Sequence, residues 1–138
     1  MTSQYVTFTL EENLYGIRVG NVQEVLPFRR TTAVPLAPPD VAGLVNLRGQ
    51  VVLALDLRTR LGLPARTGAE PMMVVVRLGH EPVSLLVDAI GDVAVVDDEQ
   101  FEAPPPTLPH ALREVIRGAY KLPGRLLLAL DVEAVTAA

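Results

Sequence analysis

Apolar and polar positions alternate from the start of the chain. Val6, Phe8 and Leu10 interleave with Tyr5, Thr7 and Thr9, the period of a strand with one buried face. Glu11-Glu12-Asn13 makes a polar turn and Tyr15, Ile17 and Val19 resume the alternation, so this stretch predicts a hairpin. Asn21 then predicts the cap of a short helical turn, with Val22, Val25 and Leu26 at i, i+3 and i+4 before Pro27 stops it. The tract TTAVPLAPPD at 31–40 predicts an extended, polyproline-like passage. Leu57 and Leu61 predict one helical turn ended by Gly62 and Pro64, and PARTGAEP at 64–71 is the best candidate for a mobile connection between subdomains. MMVVVRL, a turn at Gly79-His80-Glu81-Pro82, and VSLLVD predict a second hairpin. The run IGDVAVV follows, with Gly91-Asp92 as a bulge or turn, and APPPTLP at 103–109 reads as a stiff loop.

One part of this pattern occurs twice. GLVNLRGQVVLALDL at 43–57 returns as GAYKLPGRLLLALDV at 118–132, keeping Gly43/Gly118, Leu47/Leu122, Gly49/Gly124, Ala54/Ala129, Leu55/Leu130 and Asp56/Asp131 in register. Each copy predicts a short strand, a turn whose Gly49 or Gly124 takes a positive φ, a near-continuous apolar strand, and an aspartate capping a helical turn. Duplication of a β–turn–β–cap unit predicts two related subdomains sharing a core. Short strands punctuated by Gly and Pro favour small closed barrels over an open sheet, so the expected class is all-β with minor helix.

Length sharpens this. A chain of 138 residues buries roughly 68–70% of its unfolded surface, whereas half of it would bury about 60% and be marginal. The two halves are therefore expected to lean on each other. A formal net charge of −4 with interspersed signs argues against nucleic-acid binding, which needs a concentrated cationic face. No basic amphipathic helix or long apolar run predicts direct membrane insertion. MTSQYVTF enters a strand pattern at once, leaving no room for a signal peptide, and the absence of cysteine removes thiol chemistry. A soluble, cytoplasmic domain is expected.

Reactive groups are sparse. His80 lies in a GHEP turn and His110 follows Pro109; neither has a second ligand at i+3 or i+4, so structural or solvent roles are expected. Asp97-Asp98-Glu99 reads as a solvated turn, Asp56 and Asp131 as caps, and Asp88 as an acceptor of backbone hydrogen bonds at a strand end. Ser84 stands in an apolar strand, with no nucleophile elbow and no phosphate loop anywhere. No catalysis, metal or cofactor is expected. The competing reading, a small hydrolase or ligand-binding barrel, would have to use His80, His110 and the acidic turn. Glu24 and Arg48, with Asn46 beside the latter, stand out more. Two readings of Arg48 stay open: a surface cation, or a partner of a carboxylate such as Glu24 that orients a recognition surface. The copy carries Pro123 in its place, so the turn itself does not require arginine.

GLVNLRGQVVLALDLRTRLG at 43–62 closely resembles the signature of the CheW-like bacterial chemotaxis coupling proteins. YGIRVGNVQEVL at 15–26, APPDVAGLVNLRG at 37–49 and LLVDAIGDVAVV at 85–96 match that family in order. Ala54 departs from it, where proline is frequent. The resemblance implies one CheW-like domain over 1–138: two packed five-stranded SH3-like β-barrels sharing an apolar interface. The first barrel is expected mainly from 13–70 and the second mainly from 71–138, with the N-terminal strand 4–11 able to join the second. The implied function is a non-catalytic adaptor between methyl-accepting chemoreceptor cytoplasmic tips and the regulatory domain of a CheA-type histidine kinase, in flagellar chemotaxis or another chemosensory-like pathway. It would be cytoplasmic and recruited to receptor arrays. Carried over residue by residue, Val22, Glu24, Val25, Arg48 and Met72 fall on receptor-binding positions, Glu24 and Arg48 on a structural pair, and Gly43 and Gly49 on kinase-binding positions.

Overall fold

The computed structural model describes residues 1–64, 68 and 70–136. Its strands are β1 Thr2–Leu10, β2 Asn13–Arg18, β3 Val22–Pro27, β4 Val41–Leu47, β5 Gln50–Asp56, β6 Met72–Leu78, β7 Glu81–Val87, β8 Ala89–Asp97, β9 Ile116–Leu122 and β10 Arg125–Leu130. Three short helices punctuate them: α1 Leu57–Arg60, α2 His110–Arg113 and α3 Val132–Thr136. Half of the expected connection at 64–71, residues 65–67 and 69, lies outside the described residues.

Two five-stranded sheets result, ordered β3-β6-β7-β5-β4 and β8-β1-β2-β10-β9. The first is contiguous in sequence and forms a central barrel. The second is assembled from both ends of the chain and forms a terminal barrel. This corrects the expected division: strand 13–18 belongs with the C-terminal strands, and 72–87 with the strands of the first half. The physical reason is the shortness of two connections. β2 reaches β3 through the three-residue 3-10 turn Val19–Asn21, and β7 reaches β8 through Asp88 alone. A chain with so few linking residues runs on into the next barrel instead of folding back beside its own hairpin. Each hairpin is then completed across the repeat, β7 pairing parallel with β5 and β2 parallel with β10.

The segment expected as a helical turn at 20–26 is also different, being a strand from Val22. Its register against β6 slips between Val22 and Glu24, a bulge that adds one residue to the edge strand. Val22 then opposes Val76 and Val25 opposes Val74, so residues three apart share one face. β-Branched side chains and an available β6 edge favour pairing over an isolated turn.

The core has three parts. Leu26, Val45, Leu47, Val52, Ala54, Met73, Val75 and Leu86 fill the central barrel. Tyr5, Leu14, Val96, Tyr120, Leu127 and Ala129 fill the terminal one. Between them lies the largest layer, which includes Phe8, Tyr15, Ile17, Leu55, Leu57, Val74, Val76, Leu85, Leu128 and Leu130 from both sheets. β6 explains the continuous apolar run: Met73 and Val75 point into a barrel while Val74 and Val76 point into the shared layer, all four fully buried. At about 1.5–3 kcal/mol per buried aliphatic or aromatic side chain, this shared layer is what joins the barrels.

Gly43 and Gly118 have one structural reason in both copies. A preceding loop crosses the outer strand at each of them, bridging Thr32 to Leu44 and Glu102 to Ala119. A Cβ at Gly43 (φ +140°) would lie 2.4 Å from the Thr32 carbonyl oxygen, and one at Gly118 2.3 Å from the Phe101 ring. Asp56 caps α1 by accepting from the Arg58 amide, and Asp131 accepts from the Ala134 amide.

Candidate functional site

The hairpin β4–β5 turns through Arg48 and Gly49, with Leu47 paired to Gln50. Both turn residues have positive φ, +53° and +84°, the geometry of a two-residue type I′ turn that matches the right-handed strand twist. Asn46 accepts the Gly49 amide through its side-chain oxygen at 2.9 Å, closing the tip. From it the guanidinium of Arg48 reaches β3: Nη1 donates to Glu24 Oε2 at 2.7 Å and Nη2 to Oε1 at 2.9 Å. The fork is bidentate, with the arginine side chain 76% and the glutamate 19% exposed. Of the two readings of Arg48, the geometry is that of the carboxylate pair. Exposure limits its contribution to stability to about 0–1 kcal/mol, so the pair orients more than it stabilises.

Glu24 opposes Val75, on the side of the sheet that faces the central barrel's interior, while Val22, Val25 and Met72 lie on the other face, at the rim of the shared layer. Val22 and Met72 are half-buried there, and Val25 is exposed. The bulge therefore splits β3 between two tasks, an apolar face and an ion-paired one. Gly43 sits under the Thr31–Thr32 crossing, whereas a Cβ at Gly49 would meet open space, its constraint being φ alone. Gly43 and Gly49 thus share a hairpin but not a mechanism of constraint.

The two histidines and the acidic turn of the competing reading lie apart, at separate surface positions. His80 is exposed in its turn, and His110 pairs with Glu114 at 2.9 Å on the surface. Asp97 caps the 3-10 turn 98–100 through the Glu99 amide. Among the described residues no group of three or more His, Cys, Asp or Glu side chains is placed to hold a metal ion. Ser84 is fully buried, and its Oγ is without a hydrogen-bond partner among the described residues.

A family model described as the CheW-like domain matches residues 4–138. The chain belongs to the CheW-like family. It is similar to the chemotaxis protein CheW of Klebsiella aerogenes, with 30% identity over 94% of this chain and 79% of that protein. Its likeness to the CheW of Bacillus subtilis is also 30%, over 94% and 84% of the two chains. A probable CheW of Rhizobium etli is 29% identical over 96% of this chain and 86% of its own length. In structure it is similar to the scaffolding protein TtCheW of Thermoanaerobacter tengcongensis, with TM-score 0.89, 27% identity, and coverage of 100% and 94% of the two chains. The class is that expected, mostly strand in two SH3-like five-stranded barrels. No helix among the described residues is long and apolar enough to cross a membrane.

Sequence reasoning missed one constellation, at the passage between the barrels. Arg58 on α1 donates from Nε to Asp88 Oδ1 at 2.8 Å and from Nη2 to Oδ2 at 2.6 Å. Asp88 also accepts the Glu11 amide at 2.9 Å, and Arg58 Nη1 lies 3.4 Å from the Glu11 carboxylate. The Asp88 hydrogen bonds, ahead of the opposing effect of burial, raise the guanidinium pKa above its ordinary value. Nothing local announces this cluster, since Arg58 and Asp88 are 30 residues apart.

Proposed function

We propose that the chain is a non-catalytic adaptor that couples the cytoplasmic tips of chemoreceptors to the regulatory domain of a CheA-type histidine kinase. The observation that carries this is the Glu24–Arg48 fork, which locks the bulged edge strand β3 to the β4–β5 hairpin in a CheW-like chain. An exposed ion pair that adds little stability, yet holds two edge elements in one geometry, is suited to recognition. The receptor-facing surface is Val22, Val25 and Met72, an apolar rim for the apolar side of a helical tip, with Glu24 and Arg48 fixing the strand that carries it. The kinase-facing surface is the β4–β5 hairpin. Gly43 acts there indirectly, because any side chain would displace Thr32 and the edge of β4. Gly49 acts by keeping the hairpin tip in its I′ turn. No cofactor takes part, and recruitment to receptor arrays follows from binding two array components at once, where multivalency multiplies weak contacts.

Co-sedimentation of the purified chain with a receptor cytoplasmic fragment and a CheA-type regulatory domain tests this. The ternary assembly is expected to form, and Val22→Asp or Arg48→Ala to weaken receptor capture while the circular dichroism spectrum stays unchanged. Undiminished receptor capture by both variants would remove the assignment of β3.

A further inference from the structure

The chain passes between the barrels twice, and the two crossings differ. At Asp88 three segments from both barrels meet: the crossing itself, the β1–β2 turn through Glu11, and α1 through Arg58. The Arg58 and Asp88 side chains are only 12% and 22% exposed. Arg58 also donates to the Pro64 carbonyl at 3.0 Å, and Arg60, next but one along α1, donates to the carbonyls of Val135 and Ala134 in α3 of the terminal barrel. Both arginines of α1 therefore reach out of the central barrel into the other.

The repeat supplies the internal control. Ala54 pairs with Ser84 as Ala129 pairs with Gly16, which makes Gly20 the equivalent of Asp88; Glu133 stands where the repeat would place Arg58. At the β2–β3 crossing the equivalent positions hold Gly20 and Glu133, so the arginine–aspartate clasp is not repeated there, and the terminal barrel is built regardless. The clasp is therefore not a requirement of the barrel fold. Burial of apolar surface is non-directional and tolerates sliding of one barrel over the other. A planar guanidinium held bidentately by one carboxylate is directional.

We infer that Arg58 is a positioning residue: its clasp on Asp88 and Glu11 fixes the angle between the two barrels, and so the angle at which two docked partners are held. Only the last clause rests on the adaptor reading; the angle is a property of the chain alone. Loss of the clasp leaves the barrels joined by the apolar layer but free to adopt a range of mutual orientations.

The chain has no cysteine, so spin labels at Gln4→Cys on β1 and Gln50→Cys on β5 report one distance between the barrels. Double electron–electron resonance is expected to give a single narrow distribution in the otherwise native chain. A broadened or displaced one is expected with Arg58→Ala, and recovery with the exchange Arg58→Asp/Asp88→Arg. Asp88→Asn, nearly isosteric, serves if Arg58→Ala fails to fold. An unchanged distribution in whichever single variant folds overturns the inference. In a reconstituted assembly, unlabelled Arg58→Ala is expected to bind receptor fragment and kinase domain separately within about twofold of the native chain. Receptor-dependent kinase stimulation is expected to fall roughly fivefold or more, the lower end of usual inter-site coupling. Undiminished stimulation despite a broadened distance overturns the positioning role. Failure of the native chain to stimulate the kinase sinks the adaptor reading, while the distance measurement still decides the clasp.

Discussion

The hairpins β4–β5 and β9–β10 are copies that agree along their strands and disagree at their tips. Both are crossed by a loop at a glycine, both place an alanine in a barrel interior, and both end on a capping aspartate. At the tips, Arg48 and Gly49 both have positive φ, whereas in the copy Gly124 is at +78° and the proline ring keeps Pro123 at negative φ. The first is a I′ turn and the second follows the type II pattern. A non-glycine residue in the left-handed region costs about 1–2 kcal/mol, more than the exposed fork of Arg48 returns. The barrel accepts either tip, so the strained one is explained by what its side chain reaches, which is Glu24. Features common to both copies build the scaffold; a strained or ion-paired feature held by one copy belongs to a task.

That division can be attacked by substitution. The largest effects are expected where the copies agree. Gly43→Ala and Gly118→Ala each drive a Cβ into backbone or ring atoms and should lower unfolding free energy by about 3 kcal/mol or more. Gly49→Ala and Gly124→Ala, which meet open space, should cost only about 1 kcal/mol through φ strain. Urea denaturation separates the two classes, and equal losses would mean that the loop crossings do not constrain the sheets. Next in size is Leu57→Ala, which empties a fully buried site in the shared layer and is expected to cost about 2–5 kcal/mol. It should do so without splitting the transition in two, because neither barrel holds without that layer.

An alkaline effect should follow from the core of the terminal barrel. Burial, then the hydrogen bond with Tyr5, pushes the Tyr120 pKa up to about 12 from 10.0; the two hydroxyls lie 3.3 Å apart. The folded state then holds a proton that the unfolded chain releases above pH 10. This contribution to stability is complete below that pH and declines as pH rises towards about 12. Tyrosinate absorbance should show a late-ionising phenol that Tyr120→Phe removes; a titration unchanged by that substitution would contradict the assignment.

The smallest effect is expected at a position where the copies differ without a task. Ser84 carries a buried hydroxyl unpaired among the described residues, and its counterpart Gly16 has no side chain at all. Ser84→Ala should be neutral or stabilising by about 1 kcal/mol, since an unsatisfied buried hydroxyl is costly. A clear loss of stability would show that the hydroxyl has a partner after all.

Much of the scaffold was legible in the residues, and the exceptions have physical causes. Apolar runs such as MMVVVRL and LLLAL marked strands buried on both faces, and the repeated glycines and aspartates marked turns and caps that the structure contains. β3 is hard to read from the sequence because its bulge breaks the two-residue period. Val22 and Val25 land on one face three residues apart, which imitates a helix. Barrel membership was hidden because the parallel pairings β5–β7 and β2–β10 join distant segments and leave no local trace. Glu24 and Arg48 stood out as polar residues in an apolar neighbourhood, but the left-handed conformation that aims Arg48 was not readable, as arginine rarely adopts it. Arg58 is inconspicuous in the sequence because a charged residue beside a helix cap is ordinary, and its partner Asp88 is supplied only by the fold.

Reversal of the fork tests the central claim most directly: measure receptor-fragment affinity for Glu24→Arg, for Arg48→Glu, and for both together. The account predicts that each single variant binds at least about tenfold more weakly, roughly 1.4 kcal/mol, and that the double variant recovers most of the loss. Native affinity in both single variants would show that the pair orients nothing.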